Sequence, residues 1–261
     1  MNEQHPTGRL VEVTPLRVAF WMVLAAAFMW AGLDQAYHIG ANFDWFLFTH
    51  HLEVARRTWA LYGELPAWNP YLCGGITGLG NLQASAVAPI NVWTSIFGTL
   101  PGFKLGVWFL FVLGQEGTYQ YARRQGIEGI GAVVAATAFC FHGRFAQTFF
   151  DGHPIFFGFL LAPWVFVGFE RGLKSWWWGV AGGLFMGWIL ANGGAVPTPM
   201  ISVILAVLMV YYTGRALLYP KQVDYAWYRP AVTLAWMALV TCSVWGVRFL
   251  PVAESALVNP R

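Results

Sequence analysis

Long apolar runs broken by short charged turns dominate the chain, and their lengths are those of membrane-crossing helices. Seven runs qualify: Leu16–Leu33, Leu105–Tyr121, Ile127–Phe141, Ile155–Phe169, Trp176–Ala191, Met200–Leu217 and Ala231–Leu250. An eighth, Ala84–Leu100, is short and contains Pro89 and Gly98, so it is read as a re-entrant or interfacial helix. The expected fold is all-α: a single polytopic transmembrane bundle of about seven spans over residues 1–261. Its first extracytoplasmic loop, 34–104, is long and carries interfacial helices.

One stretch departs from this pattern. From Asp44 to Tyr62 the residues Trp45, Phe48, Leu52, Ala55, Trp59 and Tyr62 recur every three or four positions, opposite His50, Arg56 and Arg57. That is an amphipathic helix lying in the membrane interface, begun by Asn42 or Asp44 as cap and stopped by Gly63. A Pro-, Gly- and Asn-rich segment from Leu65 to Gly80, with Trp68, Asn69 and Tyr71, follows it. Such a loop either wraps a ligand or forms a compact turn.

Composition agrees with a membrane protein: 57% of residues are hydrophobic, 10% are charged, and too little polar surface is left to cover a soluble globule. No Ala-x-Ala-like cleavage site follows the first run, which reads as an uncleaved span. Cys73, Cys140 and Cys242 lack metal-ligand spacing and suggest no disulfide framework. A net charge of +3 gives no reason to expect nucleic acid as partner, and its distribution is more informative. With the N-terminus cytoplasmic, Arg9, Arg17, Arg123, Arg124, Arg171, Lys174, Arg215, Lys221 and Arg229 lie inside, as the bias of cytoplasmic loops toward Lys and Arg requires. His38, His50, His51, His142 and His153 then fall outside together with Asp34, Asp44, Glu53, Glu64, Asp151 and Glu254, so the titratable chemistry faces the extracytoplasmic side.

Among those groups Asp44 stands just beyond the first span, where a carboxylate at the boundary of membrane and water can take a proton from a hydroxyl; burial against Phe43 and Trp45 would raise its pKa. Asp44 also reads simply as a helix cap, and Asp34 is its rival as base. For an anionic lipid carrier the outer arginines are Arg56, Arg57, Arg144 and Arg248. Arg144 and Arg248, at span ends, are best placed to offer a planar fork to phosphate. A snorkelling interfacial arginine is the plainer reading of each. Asp151 and His153 could hold a divalent metal with Asp44, although a polar turn is the simpler account. Adjacent His50 and His51 point apart on a helix, so at most one joins a site. Glu116, inside the second span, reads as a structural partner near the cytoplasmic edge. The spans lack central histidines, which sets aside a haem or chlorophyll protein.

The order Asp44, amphipathic helix, Gly63-x-Leu65-Pro66-x-Trp68-Asn69-Pro70-Tyr71 and Gly74-Gly75 resembles the first outer loop of the YfhO-type bacterial membrane proteins, of the GT-C class of polytopic glycosyltransferases. Gly117-Thr118-Tyr119, Ala122-Arg123, Gly126, Ala138-Phe139, Gly143, Pro163, Glu170-Arg171 and Phe249-Leu250-Pro251-x-x-Glu254 resemble later points of that family. The resemblance implies a sugar moved from a polyprenyl-phosphate carrier to an acceptor on the outer face of a bacterial inner membrane, with Asp44 as base. Family members often carry a pair of acidic residues where this chain has Asp44, and they are usually longer, which implies an N-terminal module or a shortened relative. Expected substrate-binding residues are Arg144, Arg248, His51, Trp68, Asn69 and Tyr71. The partners implied are the sugar lipid, membrane lipids and, in some settings, other membrane subunits; no resident cofactor is required. The reading from another class is a non-catalytic relative acting as structural subunit of a membrane complex, and an open outer cavity holding Asp44 and an arginine separates the two. A transporter is a weaker third reading, since no inverted repeat or paired broken helices stand out.

Overall fold

The computed structural model describes residues 11–33, 43–81 and 83–258. Asp34, His38 and Asn42, the rival base, one outer histidine and the alternative cap, lie outside them, as do His5, Arg9 and Arg261 and the side chain of Phe43.

The described chain is all-α apart from one two-residue strand pairing. Its helices are α1 (Pro15–Leu33), α2 (Phe43–Tyr62), α3 (Ile90–Phe97), α4 (Thr99–Arg124), α5 (Ile130–Cys140), α6 (Gly143–Asp151), α7 (Ala162–Gly172), α8 (Trp176–Ala191), α9 (Pro197–Leu218) and α10 (Arg229–Val258). A 3-10 helix, Pro154–Leu161, runs directly into α7. Among the described residues, Pro154–Gly172, Pro197–Leu218 and Arg229–Arg248 are long and apolar enough to cross a membrane, which gives the chain the character of a membrane protein. The first of these is mostly buried inside the bundle, whereas the other two present most of their surface outward. Pro15–Trp30 and Trp176–Ala191 are apolar but shorter. The run Ala84–Leu100 contains α3, turned back into α4 at Gly98.

Close approach, rather than interlocking large side chains, brings α7, α8 and α10 together. A Cβ at Gly168 would fall 2.5 Å from Gly182 Cα, one at Gly183 2.7 Å from Met237 O, and one at Gly187 1.7 Å from the Trp245 ring. This is the small-residue packing by which apolar helices gain dispersion contact where burial from water contributes little.

Polar contacts fix the direction of each helix and define two ends. At one end Arg17, near the start of α1, donates two 2.9 Å hydrogen bonds to Glu116 on α4, which also accepts from Trp21 (2.9 Å) and Gln120 (2.6 Å). Glu116 thus has a structural pairing, with Arg17 as its cation. Beside it Glu170, at the end of α7, accepts from Arg124 (2.6 Å), Gln125 (2.8 Å) and the Tyr212 hydroxyl (2.7 Å). Arg123, Arg171, Lys174, Arg215, Lys221 and Arg229 gather at this same end, by the terminus of α4 and the turns that join α7 to α8 and α9 to α10. The opposite end holds α2, α3, α6, the strand loop and the last turns of α10.

Candidate active site

Helix α2 anchors that second end. Trp45, Phe48, His51, Leu52 and Ala55 are buried along one side of it, while Trp59 and Tyr62, predicted on the same apolar side, project outward in the last turn. Gly63, at φ +67°, ends the helix, its N–H returning to Trp59 O at 3.0 Å. Glu53 ties α2 to the bundle: it accepts from Arg56 (two bonds, each 2.9 Å), from Arg57 (2.5 Å) and from the Thr99 hydroxyl at the start of α4. The Arg56 bonds and those from Thr99 and Arg57 outweigh its desolvation and hold its carboxyl down to about 2.

Asp44 lies in the first turn of α2, where negative charge meets the positive pole of the helix. Its Oδ2 accepts a 2.5 Å hydrogen bond from His153 Nε2, and both side chains are about one third exposed. The neighbour of Asp44 in sequence sets up this meeting. Trp45 is buried, donates its indole N–H to Phe150 O at 2.6 Å, and lies over Gly152, where a Cβ would come within 2.5 Å of its ring. Gly152, at φ +76°, closes α6 and turns the chain so that the next residue, His153, faces α2.

The imidazole of His153 packs against Phe48 (centroids 5.3 Å) and stacks on Phe156 (5.9 Å), and the Arg144 guanidinium lies 4.7 Å from the centroid of Phe156. Arg144 in turn lines a cavity of about 400 Å³ with Phe139, His142, Phe156, Phe159 and Met200. Phe156 thus links the carboxylate–histidine pair to the arginine and the apolar hollow, which neither Asp44 nor His153 lines.

Two turns along the same face of α2, about 10 Å from Asp44, is a second polar cluster. Arg248 of α10 is almost fully buried and donates through Nη2 to Asn81 O at 3.1 Å. Burial, with His50 and Arg248 adding repulsion, pushes His51 down to about 4, which keeps the imidazole neutral at physiological pH. Asn69, also buried, donates to His50 Nε2 at 3.2 Å and accepts from the Tyr71 N–H at 3.0 Å, so it pins the loop to α2. Both adjacent histidines thus take part in this end of the molecule, His50 through the loop and His51 toward α10.

The Pro/Gly-rich segment is a compact turn here. Trp68 and Asn69 pair antiparallel with Thr77 and Ile76, and Gly75, at φ +115°, lies beneath the Trp68 indole, where a Cβ would fall 2.2 Å from the ring. Trp68 and Tyr71 are exposed on its outside, apart from the cavity.

Of the expected site residues, Asp44 and Arg144 are thus brought together through His153 and Phe156, His51, Asn69 and Arg248 form the second cluster, and Trp68 and Tyr71 stand apart. Sequence reasoning misses the pairing of His153 with Asp44: it marks Asp44 as a base or helix cap and His153 as part of a polar turn, with a shared metal only as the lesser alternative. Among the described residues no three His, Cys, Asp or Glu side chains are gathered as a metal site, and Asp44 Oδ2 is already engaged by His153.

No family model matches the chain, and neither a curated protein nor a solved structure is significantly similar to it.

Proposed function

We propose that this protein is a membrane glycosyltransferase module of the GT-C type, moving a sugar from a polyprenyl-phosphate carrier to an acceptor hydroxyl on the extracytoplasmic face. The observation that carries the reading is the partly exposed Asp44–His153 pair beside the Arg144 cavity, at the end of the bundle opposite the basic cluster. In this reading α1, α4, α5, the 3-10 helix with α7, α8, α9 and α10 make seven passes of a bacterial inner membrane. The basic end is cytoplasmic, as the Lys and Arg bias of short loops favours, and the N-terminus lies on that side.

Asp44 takes the proton of the acceptor hydroxyl as its oxygen forms a bond to the anomeric carbon. The bond from that carbon to the carrier phosphate breaks, and the phosphate leaves with the bonding electrons, so the anomeric configuration inverts. His153, bonded to Oδ2, fixes the orientation of the carboxylate, the role of a positioning partner. Arg144 offers its fork to the carrier phosphate at the mouth of an apolar hollow suited to the prenyl chain. Arg248, buried against the loop, braces α10 against α2 in this scheme.

Purified protein in detergent, given a radiolabelled polyprenyl-phosphate sugar and an acceptor, is expected to transfer the label, and Asp44→Asn is expected not to. Absence of transfer in the folded wild type with a panel of sugars and acceptors would overturn the reading in favour of a structural subunit of a membrane complex.

A further inference from the structure

A groove on the outside of α8 and α10, at the basic end, plays no part in the chemistry above. It encloses about 460 Å³ and is floored by Gly172, Gly179 and Thr233, with Trp176 and Trp236 in its wall. Its depth comes from close helix packing: a Cβ at Gly172 would lie 2.4 Å from Thr233 Cγ2, and one at Gly179 3.1 Å from the Trp236 ring. The two indoles meet edge to face with centroids 6.2 Å apart, while Val232 and Leu239 extend the apolar wall along α10 and are half exposed.

Two independent features indicate what fits such a groove. The first is charge. Arg229, the first residue of α10, lies at the mouth of the groove, half-buried, and makes no ion pair among the described residues. No carboxylate among the described residues lines the groove, and Asp224 in the preceding turn is held by Lys174. The positive pole of a 30-residue helix adds to the guanidinium at this point. The second feature is depth. Trp176, Trp177, Tyr219, Trp227 and Tyr228 are all exposed around this end, the aromatic girdle that settles at headgroup level in a bilayer. An arginine at that level with no ion pair among the described residues, above an apolar slot running along two helices, complements a molecule with an anionic head and a long hydrocarbon arm lying against the protein.

We propose that the α8–α10 groove is a binding site for an anionic glycerophospholipid of the bilayer, with the phosphate on Arg229 and one acyl chain laid across Trp176 and Trp236 along the apolar wall of α10. The site is independent of the sugar-transfer reading, since it lies at the other end of the bundle and shares no residue with it.

The test is native mass spectrometry of the full chain released from detergent, titrated with phosphatidylglycerol or with phosphatidylcholine of the same acyl chains. The wild type should retain phosphatidylglycerol in preference. Arg229→Gln should weaken phosphatidylglycerol binding about fivefold and erase the preference, the scale expected for one basic residue at an anionic surface. Lys221→Gln, at the same end but outside the groove, should change binding by less than about twofold, because an exposed charge is screened by salt. Trp176→Ala should weaken both lipids, and inorganic phosphate in excess should displace neither. Equal retention of the two lipids by the wild type would overturn the proposal. So would a loss with Lys221→Gln as large as with Arg229→Gln, an indifferent Trp176→Ala, displacement by phosphate, or a dimer formed through this face that excludes lipid. Thermal unfolding of each variant separates loss of the site from loss of the fold.

Discussion

Asp44 at one end of the bundle and Glu116 and Glu170 at the other are held differently. At the basic end Glu116 and Glu170 are buried, with side chains 8% and 4% exposed, and each accepts hydrogen bonds from three different side chains, one of them an arginine. At the other end Asp44 keeps 35% of its side chain exposed and bonds to a histidine, beside a cavity. A carboxylate enclosed by several donors is committed to holding helices together, since moving a proton onto it would break the whole set. One that is about a third exposed and bonded to an imidazole is better placed to meet a ligand. The contrast teaches which acid in an apolar bundle to suspect of chemistry, and substitutions at each end can break it.

The largest effect is expected at Asp44. In the proposed reading Asp44→Asn removes the base while keeping shape, so the sugar transfer proposed above should fall by about 10²–10⁴-fold. Apparent stability should move by less than about 1 kcal/mol, since the lost pair is partly exposed. A variant that loses activity only in proportion to its loss of folded protein would place Asp44 with the structural acids and end the comparison.

Glu170→Ala should do the reverse. It leaves the Arg124 guanidinium and the Tyr212 hydroxyl facing each other in a buried site, and breaking such a pair costs about 3–5 kcal/mol. Thermal unfolding in detergent should show a large drop, with the turnover of the remaining folded fraction unchanged. A Glu170→Ala protein as stable as wild type would show that the network only decorates the interface of α4, α7 and α9.

Most of the helical architecture is legible in the hydropathy of the chain, because a long apolar run bounded by arginine and lysine must satisfy its own backbone hydrogen bonds, and a helix does so within the run. Each of the seven apolar runs falls largely in helix, although Pro154–Gly172, Pro197–Leu218 and Arg229–Arg248 alone among the described stretches combine the length and apolarity of a span. Helix α6 is not legible: its nine residues include Arg144, Gln147 and Asp151, so a hydropathy reading sees only a polar turn between two spans. Asp44 stands out because a carboxylate in the first turn of an amphipathic helix is conspicuous. Its bond to His153, 109 positions away, depends on Trp45 gripping the end of α6, a tertiary event with no local signature. Trp68 and Tyr71 are conspicuous in the sequence as aromatic residues of a Gly-rich loop, but the packing of Trp68 over Gly75 in its own turn is a local close approach that the sequence does not announce.

A third prediction uses acid to probe α2. His51 has a folded pKa near 4 against an ordinary 6.5, so the unfolded chain binds the proton more readily. Stability is therefore complete above about pH 6.5 and is lost as pH falls toward 4, by up to roughly 3 kcal/mol for a shift of this size. Melting curves between those pH values should slope for the wild type and flatten for His51→Gln. An unchanged slope would mean that His51 reaches water as freely as an exposed imidazole.

The smallest effect should come from Glu53, which acts in a different window. Its folded pKa is depressed, from 4.5 to about 2, so its contribution is present above 4.5 and lost as pH falls through about 2. The contribution is small, about 1 kcal/mol after solvent screening, since the Arg57 side chain is 64% exposed and Glu53 itself is 28% exposed. Glu53→Gln should therefore lower stability slightly at neutral pH while leaving the slope between pH 6.5 and 4.5 to His51. A Thr99→Val variant separates the hydroxyl contact from the charge. If Thr99 carries the link between α2 and α4, Thr99→Val should cost at least as much stability as Glu53→Gln; if the pairs with Arg56 and Arg57 carry it, Thr99→Val should cost almost nothing. The first outcome would make Glu53 resemble Glu170, a carboxylate that holds helices, and would leave Asp44 as the acid of this end committed to chemistry.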